Sequence, residues 1–174
     1  MTLDASTDRL VCFNHGKESG PWGTKISRLA EVARACGFAV ISPDYSHTHD
    51  PHSRLRQLTT EVRPRAQTLI LVGSSMGGYV AAHACSALNP QALFLMAPAL
   101  YFEGWAEEPA DLPGDIEVVH GWGDDVVPLQ NVQRFAARHR AALHVVDADH
   151  GLSAAMNTIE ILFAQQLRRQ RSAA

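Results

Sequence analysis

The 174-residue sequence has only three cysteines, little excess charge and no long apolar run, and each shortage removes a class of protein. Cys12, Cys36 and Cys85 are odd in number, lack CxxC spacing and sit in apolar or helical patterns. They read as reduced core residues, neither a disulfide framework nor a thiolate metal site. Fifteen lysines and arginines against eighteen acids leave a formal net charge of -3. The basic residues are scattered except for Arg168, Arg169 and Arg171, which excludes a nucleic-acid footprint and suits the negative end of a last helix. The apolar run from Leu10 to Phe13 is too short for an export signal or a membrane span, and acids stand before it where a signal would place positive charge. These features predict a cytoplasmic protein without a membrane partner. Repeats and low-complexity segments are also missing, and this length at 46% hydrophobic suits one domain over residues 1–174.

What is present is an alternation of strands and helices. Six short apolar runs, at 9–14, 38–42, 68–73, 92–97, 116–121 and 142–147, mostly lack the polar alternation of a half-exposed strand and read as strands buried on both faces. Between them lie helical spacings. One opens near Pro21, carries Ile26, Leu29, Ala33 and Cys36, and stops at Gly37; a second carries Leu55, Leu58 and Val62 and ends before Pro64. A third runs from Met76 to about Leu88, a fourth carries Val132, Phe135 and Ala136, and the last carries Ala155, Ile159, Leu162, Phe163 and Gln166. The pattern predicts an α/β fold: a three-layer α/β/α sandwich with a six-stranded parallel sheet, and a crevice at the carboxyl ends of the strands. The longest loop after a strand, Pro98 to Asp115, is irregular and aromatic, as substrate loops are.

At the end of the third run stands Gly73-Ser74-Ser75-Met76-Gly77, which fits G-x-S-x-G, a strained turn that lifts a serine between strand and helix. Small residues are needed two before and two after the nucleophile. Ser75 has Gly73 and Gly77 there, whereas Ser74 has Val72 and Met76, so the spacing selects Ser75. A serine hydroxyl is hardly ionised near neutrality, so it needs a base, and the base needs an acid to fix its tautomer. The acids after the fifth run are Asp124 and Asp125; the later histidines are His139, His144 and His150. His139 falls in a helical pattern and His144 in a strand, which leaves His150, in the loop after the sixth run. Ser75, Asp124 and His150 come from three loops at one edge of the sheet, in the order this architecture requires. The Met76 N–H at the start of a helix and the Lys17 N–H after the first run are the candidate oxyanion donors. Gly16 would let that first loop pass close to the serine, and His15 is either a second base or a brace for the loop; both are placed beside the substrate. Tyr101, Phe102, Trp105 and Trp122 are candidates for the acyl or alcohol pocket, the alternative being ordinary core.

These motifs together, HG after the first strand, GxSxG after the third, HGxxDxxVP after the fifth and DHG after the last, resemble the α/β-hydrolase superfamily over nearly the whole chain. The segments HGKESGPWGTK and SPDY add a likeness to small lidless bacterial serine hydrolases and esterases of the YqiA-like group. The resemblance implies a sheet order 2-1-3-4-5-6, a minimal fold without a lid domain, and Asp124 as the acid, four residues before Pro128. It further implies a carboxylesterase-like enzyme that forms an acyl-enzyme on a small-molecule acyl substrate and needs no cofactor. Thioesterase or peptidase activity would use the same triad, and a non-catalytic interaction protein could retain the scaffold.

One cluster competes. His47, His49, Asp50 and His52 approximate a metal-binding H-x-H-x-D-H pattern, but the aspartate comes one residue early. Ligands at that offset point the wrong way, so the expectation is no metal and a polar loop that opens a helix at Pro51 or His52.

Overall fold

The structure, a computed structural model, describes residues 8–62 and 67–172. The second helix ends at Glu61, with Val62 as its C-cap, before Pro64 as expected; Asp4 lies outside the described residues. Six strands form one all-parallel sheet: β1 Arg9–Asn14, β2 Ala39–Ile41, β3 Thr68–Ser74, β4 Ala92–Met96, β5 Asp115–Gly121 and β6 Ala142–Val146. Their spatial order is β2-β1-β3-β4-β5-β6, as the resemblance implied. The helices are α1 Thr24–Ala35, α2 Pro51–Glu61, α3 Met76–His83, α4 Cys85–Leu88, α5 Leu129–His139 and α6 Met156–Ser172.

Apolar runs became central strands because both faces are covered. Successive side chains of a strand point to opposite faces, and the two cores divide the sequence accordingly. Leu10, Cys12, Leu69, Leu71, Leu93, Leu95 and Val118 face one core, which also holds Leu58 of α2, Val80 of α3 and Phe135 of α5. Val11, Phe13, Ile70, Val72, Phe94 and Val119 face the other, with Leu29 of α1 and Phe163 of α6. Each such side chain contributes about 1.5–3 kcal/mol on leaving water. The edge strands are less covered: β2 has three residues, all half-buried, and β6 is half-buried or exposed along its length.

Two helices differ from the spacing. The stretch expected to run unbroken from Met76 to about Leu88 divides at Ala84, where ψ of -13° tightens the turn toward 3₁₀ geometry. The last helix is entered through a 3₁₀ turn at Ser153–Ala155, after Leu152 in the left-handed region at φ +58°. Cys12, Cys36 and Cys85 are buried free thiols. Asp50 caps α2, its carboxylate accepting from the N–H groups of His52 and Ser53, with Pro51 in the first turn. His47 and His49 are exposed, and His52 packs edge-on against Tyr79. Among the described residues no group of three His, Cys, Asp or Glu is placed to hold a metal, and no helix is long and apolar enough to cross a membrane.

Candidate active site

The sheet order makes β1 and β3 neighbours whose following connections leave in opposite directions, β1 toward β2 and β3 toward β4. A crevice opens at such a switch point, outside the carboxyl ends of the strands. Gly16 and Lys17 follow β1 there, and Ser75 follows β3.

Ser75 has φ +55° and ψ -120°, a conformation that costs a non-glycine residue about 1–3 kcal/mol. The surroundings hold it in place. Its N–H donates to the Met96 carbonyl at 3.0 Å, and its own carbonyl accepts from Gly78 at 2.9 Å and Ala99 at 3.0 Å. The flanking glycines are required by contact: a Cβ on Gly73 would lie 2.3 Å from the Gly77 carbonyl oxygen, and one on Gly77 would lie 1.9 Å from that of Asn14. Ser74 ends β3 and is buried.

His150 reaches Ser75 because the loop after β6 lies across the end of β5. Gly121 permits this, since a Cβ there would stand 2.2 Å from the Ala148 carbonyl oxygen. Trp122 and Gly123 then bind that loop through N–H bonds to Val146 at 2.9 Å and Ala148 at 3.0 Å. His150 Nε2 is 3.0 Å from Ser75 Oγ, and Nδ1 is 2.8 Å from Asp124 Oδ2. The Asp124 carboxylate is wholly buried, and its Oδ1 accepts from the N–H groups of Val126 at 2.9 Å and Val127 at 2.8 Å. Burial opposes its ionisation. Bonds from Val127, His150 and Val126 outweigh that, and the Asp124 pKa lies below its ordinary value. Asp125 is exposed beside it. His139 and His144 lie elsewhere, bonded to Glu108 at 2.7 Å and Glu117 at 2.5 Å.

The loop after β1 is fixed from below. His15 is fully buried and does not face the crevice; its Nδ1 bonds the Gly16 carbonyl at 2.8 Å, and its Nε2 accepts from the Tyr45 N–H at 2.9 Å. Those partners require the neutral Nδ1–H tautomer, and burial pushes the His15 pKa down. Of the two expected roles the structure gives His15 that of a brace, and placing it beside the substrate is corrected. Arg54 of α2, also fully buried, donates to the carbonyls of His15 and Gly16, each at 3.1 Å, and of Thr48 at 2.9 Å. Because a trans peptide sets its C=O and N–H on opposite sides, anchoring the Gly16 carbonyl turns the Lys17 N–H away from Arg54. Met76 is the first residue of α3, so its N–H has no intrahelical acceptor. Gly16 borders Ser75, yet a Cβ there would meet only ordinary contacts at 3.5–3.6 Å. Close approach therefore does not demand glycine at 16.

A cavity of about 630 Å³ opens over Ser75 and His150, bordered by Gly16, Lys17 and Met76 on one side and by Phe102 and Trp105 of the loop after β4 on the other. Tyr101 and Trp122 are absent from its wall. Tyr101 donates to Glu108 at 2.7 Å under the Arg134 guanidinium, and Trp122 is 66% exposed on the outer surface. Glu108, which also pairs with Arg138 and His139, pins the aromatic loop to α5.

Sequence reasoning missed three residues near this site. Arg54 carried a signal, standing with Pro51 and Leu58 on the buried stripe of α2. His120 did not, since it reads as any strand residue; it is fully buried, its Nε2 donates to the Val127 carbonyl at 3.1 Å and lies 3.7 Å from Asp124 Oδ2, and its Nδ1 has no partner among the described residues. Burial pushes the His120 pKa down. The third is Lys25, in the cavity wall.

Comparison with known proteins agrees with this architecture. Residues 10–112 match the family described as Uncharacterised protein family (UPF0227). No curated protein matches the sequence. A candidate hydrolase of the alpha/beta superfamily from Xanthomonas campestris pv. campestris is 31% identical, with 92% of this chain and 99% of that one covered at a TM-score of 0.85. Two others share the fold at lower identity. An a/b serine hydrolase without lid from Xanthomonas campestris is 20% identical, covering 96% of this chain and 84% of that one at a TM-score of 0.68. Est1E from Butyrivibrio proteoclasticus, with ferulic acid bound, is 15% identical, covering 94% and 90% at 0.75. The chain thus belongs to the UPF0227 family, within the α/β-hydrolase superfamily.

Proposed function

We propose that the protein is a serine hydrolase that cleaves a small carboxylic ester through an acyl-enzyme. One observation carries this reading: the hydrogen-bond chain from Ser75 through His150 to buried Asp124, at 3.0 and 2.8 Å, opening on a cavity. His150 Nε2 takes the hydroxyl proton as Ser75 Oγ attacks the ester carbonyl, while Asp124 holds Nδ1–H and stabilises the imidazolium. The oxyanion of the tetrahedral intermediate accepts from the Met76 and Lys17 N–H groups. His150 then protonates the leaving alcohol, and a water molecule repeats the sequence to release the acid. Every proton in the scheme is moved by these side chains, so it requires no cofactor or metal.

The cavity volume falls within the range of small-molecule sites, and Phe102 and Trp105 supply its apolar side. A water-soluble substrate in the cytoplasm, with neither nucleic acid nor membrane as partner, fits the charge balance and the three buried thiols. The test is hydrolysis of 4-nitrophenyl acetate and butyrate by the wild-type protein and Ser75→Ala, with acyl thioesters in parallel to rank the leaving group. Loss of at least about 10³-fold in Ser75→Ala is expected. Equal rates for the two proteins would exclude the reading.

A further inference from the structure

Lys25 stands in the wall of the cavity that holds Ser75, in the first turn of α1, and acyl transfer gives it no task. Its side chain is half-buried, and an ammonium is costly to withdraw from water without partners. It offers three donors and no acceptor. Among the described residues none of those donors meets an acceptor within hydrogen-bonding distance or a carboxylate within 4.0 Å. Burial pushes the Lys25 pKa down, and the attraction of the more distant Asp149 and Asp124 does not make up the difference. Asp124 is engaged by Val126, Val127 and His150, and Asp149, exposed to water, lies more than 4.0 Å from the ammonium. Lys17 and Glu18, both exposed, offset each other at the rim. Lys25 is thus a positive charge in the wall of the space where a substrate would lie.

We propose that Lys25 is the docking point for a carboxylate on the substrate, so that the enzyme prefers esters carrying a carboxylate in the acyl or the alcohol portion. This rests on the serine-hydrolase reading and names its substrate class. A single ammonium matches one negative charge better than a phosphate dianion. Docking would complete the donor set of Lys25 and return to it the stabilisation lost on burial. Lys25 is a specificity residue here, with no part in bond breaking.

Two measurements test the assignment. The first compares kcat/KM for 4-nitrophenyl hexanoate with that for the mono-4-nitrophenyl ester of adipic acid, which carries the carboxylate on the acyl side. A second pair, 4-nitrophenyl and 3-carboxy-4-nitrophenyl hexanoate, carries it on the alcohol side. The wild-type protein is expected to favour the carboxylate in one pair by about tenfold or more. Lys25→Met should remove that ratio, Lys25→Arg should keep part of it, and Lys25→Glu should reverse it. No preference in either pair, or a ratio unchanged in Lys25→Met, overturns the proposal and leaves the serine-hydrolase reading standing. The second is calorimetric titration of adipate into Ser75→Ala with and without Lys25→Met, which does not depend on turnover. Tenfold weaker binding in the double variant supports the carboxylate site even if no ester is cleaved. Equal affinities overturn it.

Discussion

Replacing Asp124 by Asn changes one atom and should nearly abolish the proposed activity. The aspartate Oδ1 accepts from the Val126 and Val127 N–H groups, while Oδ2 accepts from His150. The amide of Asn must keep its oxygen on the two backbone donors, because the flipped orientation would set NH₂ against two N–H groups. Its NH₂ then faces His150 Nδ1, which has to become an acceptor, and the ring proton moves to Nε2. A protonated Nε2 cannot take the proton of Ser75, 3.0 Å away. Wrong-tautomer substitutions of this kind cost about 10⁴-fold in kcat, which is about 5.5 kcal/mol of transition-state stabilisation. The assay is steady-state hydrolysis of 4-nitrophenyl butyrate, with circular dichroism to confirm that Asp124→Asn is folded. Asp125→Asn, at the exposed neighbour, should stay within twofold of wild type. A loss below tenfold in folded Asp124→Asn would refute the route from Asp124 through His150 to the serine.

Gly77→Ala would place a Cβ 1.9 Å from the Asn14 carbonyl oxygen, where backbone rather than a pliant side chain must yield. A destabilisation of about 3 kcal/mol, or a fall of about 6–12 °C in Tm at this chain length, is expected by thermal unfolding, against at most about 0.5 kcal/mol for Gly16→Ala; similar shifts for the two would count against the packing account. Acid should also weaken the fold near neutrality. His15 and His120 are fully buried with pKa values below 6.5, so the unfolded chain takes up protons first and stability falls as pH drops below 6.5 toward the folded values. The steepest slope from the two is about 2.7 kcal/mol per pH unit, readable by urea unfolding between pH 8 and 5. His120→Asn should roughly halve it, and a flat profile would contradict the buried neutral imidazoles.

The legible parts of this molecule were those that depend on near neighbours in the chain. The Ser75 turn shows in five residues because the close approach that forbids a Cβ at Gly73 and Gly77 acts at fixed offsets from the serine. The central strands show because burial on both faces removes polar residues from the run itself. Roles set by contacts distant in sequence were harder to read. His15 reads as a second base as easily as a brace until Tyr45 and Arg54 are seen beneath it. Trp122 reads as a pocket aromatic, but the bonds tying its loop to β6 turn it outward. Lys25 acquires meaning only once α1 lies beside the loop that follows β3. The break at Ala84 was invisible because residues 79–88 keep the helical apolar spacing across it.

Ser75 alone is the proposed nucleophile, though Ser74 adjoins it and borders the same cavity. Treatment with a fluorophosphonate, followed by peptide mass spectrometry, tests this directly. One phosphonyl adduct is expected, located on Ser75, absent from Ser75→Ala and strongly slowed in His150→Asn. An adduct on Ser74, labelling that persists in Ser75→Ala, or no adduct on the wild-type protein would contradict it.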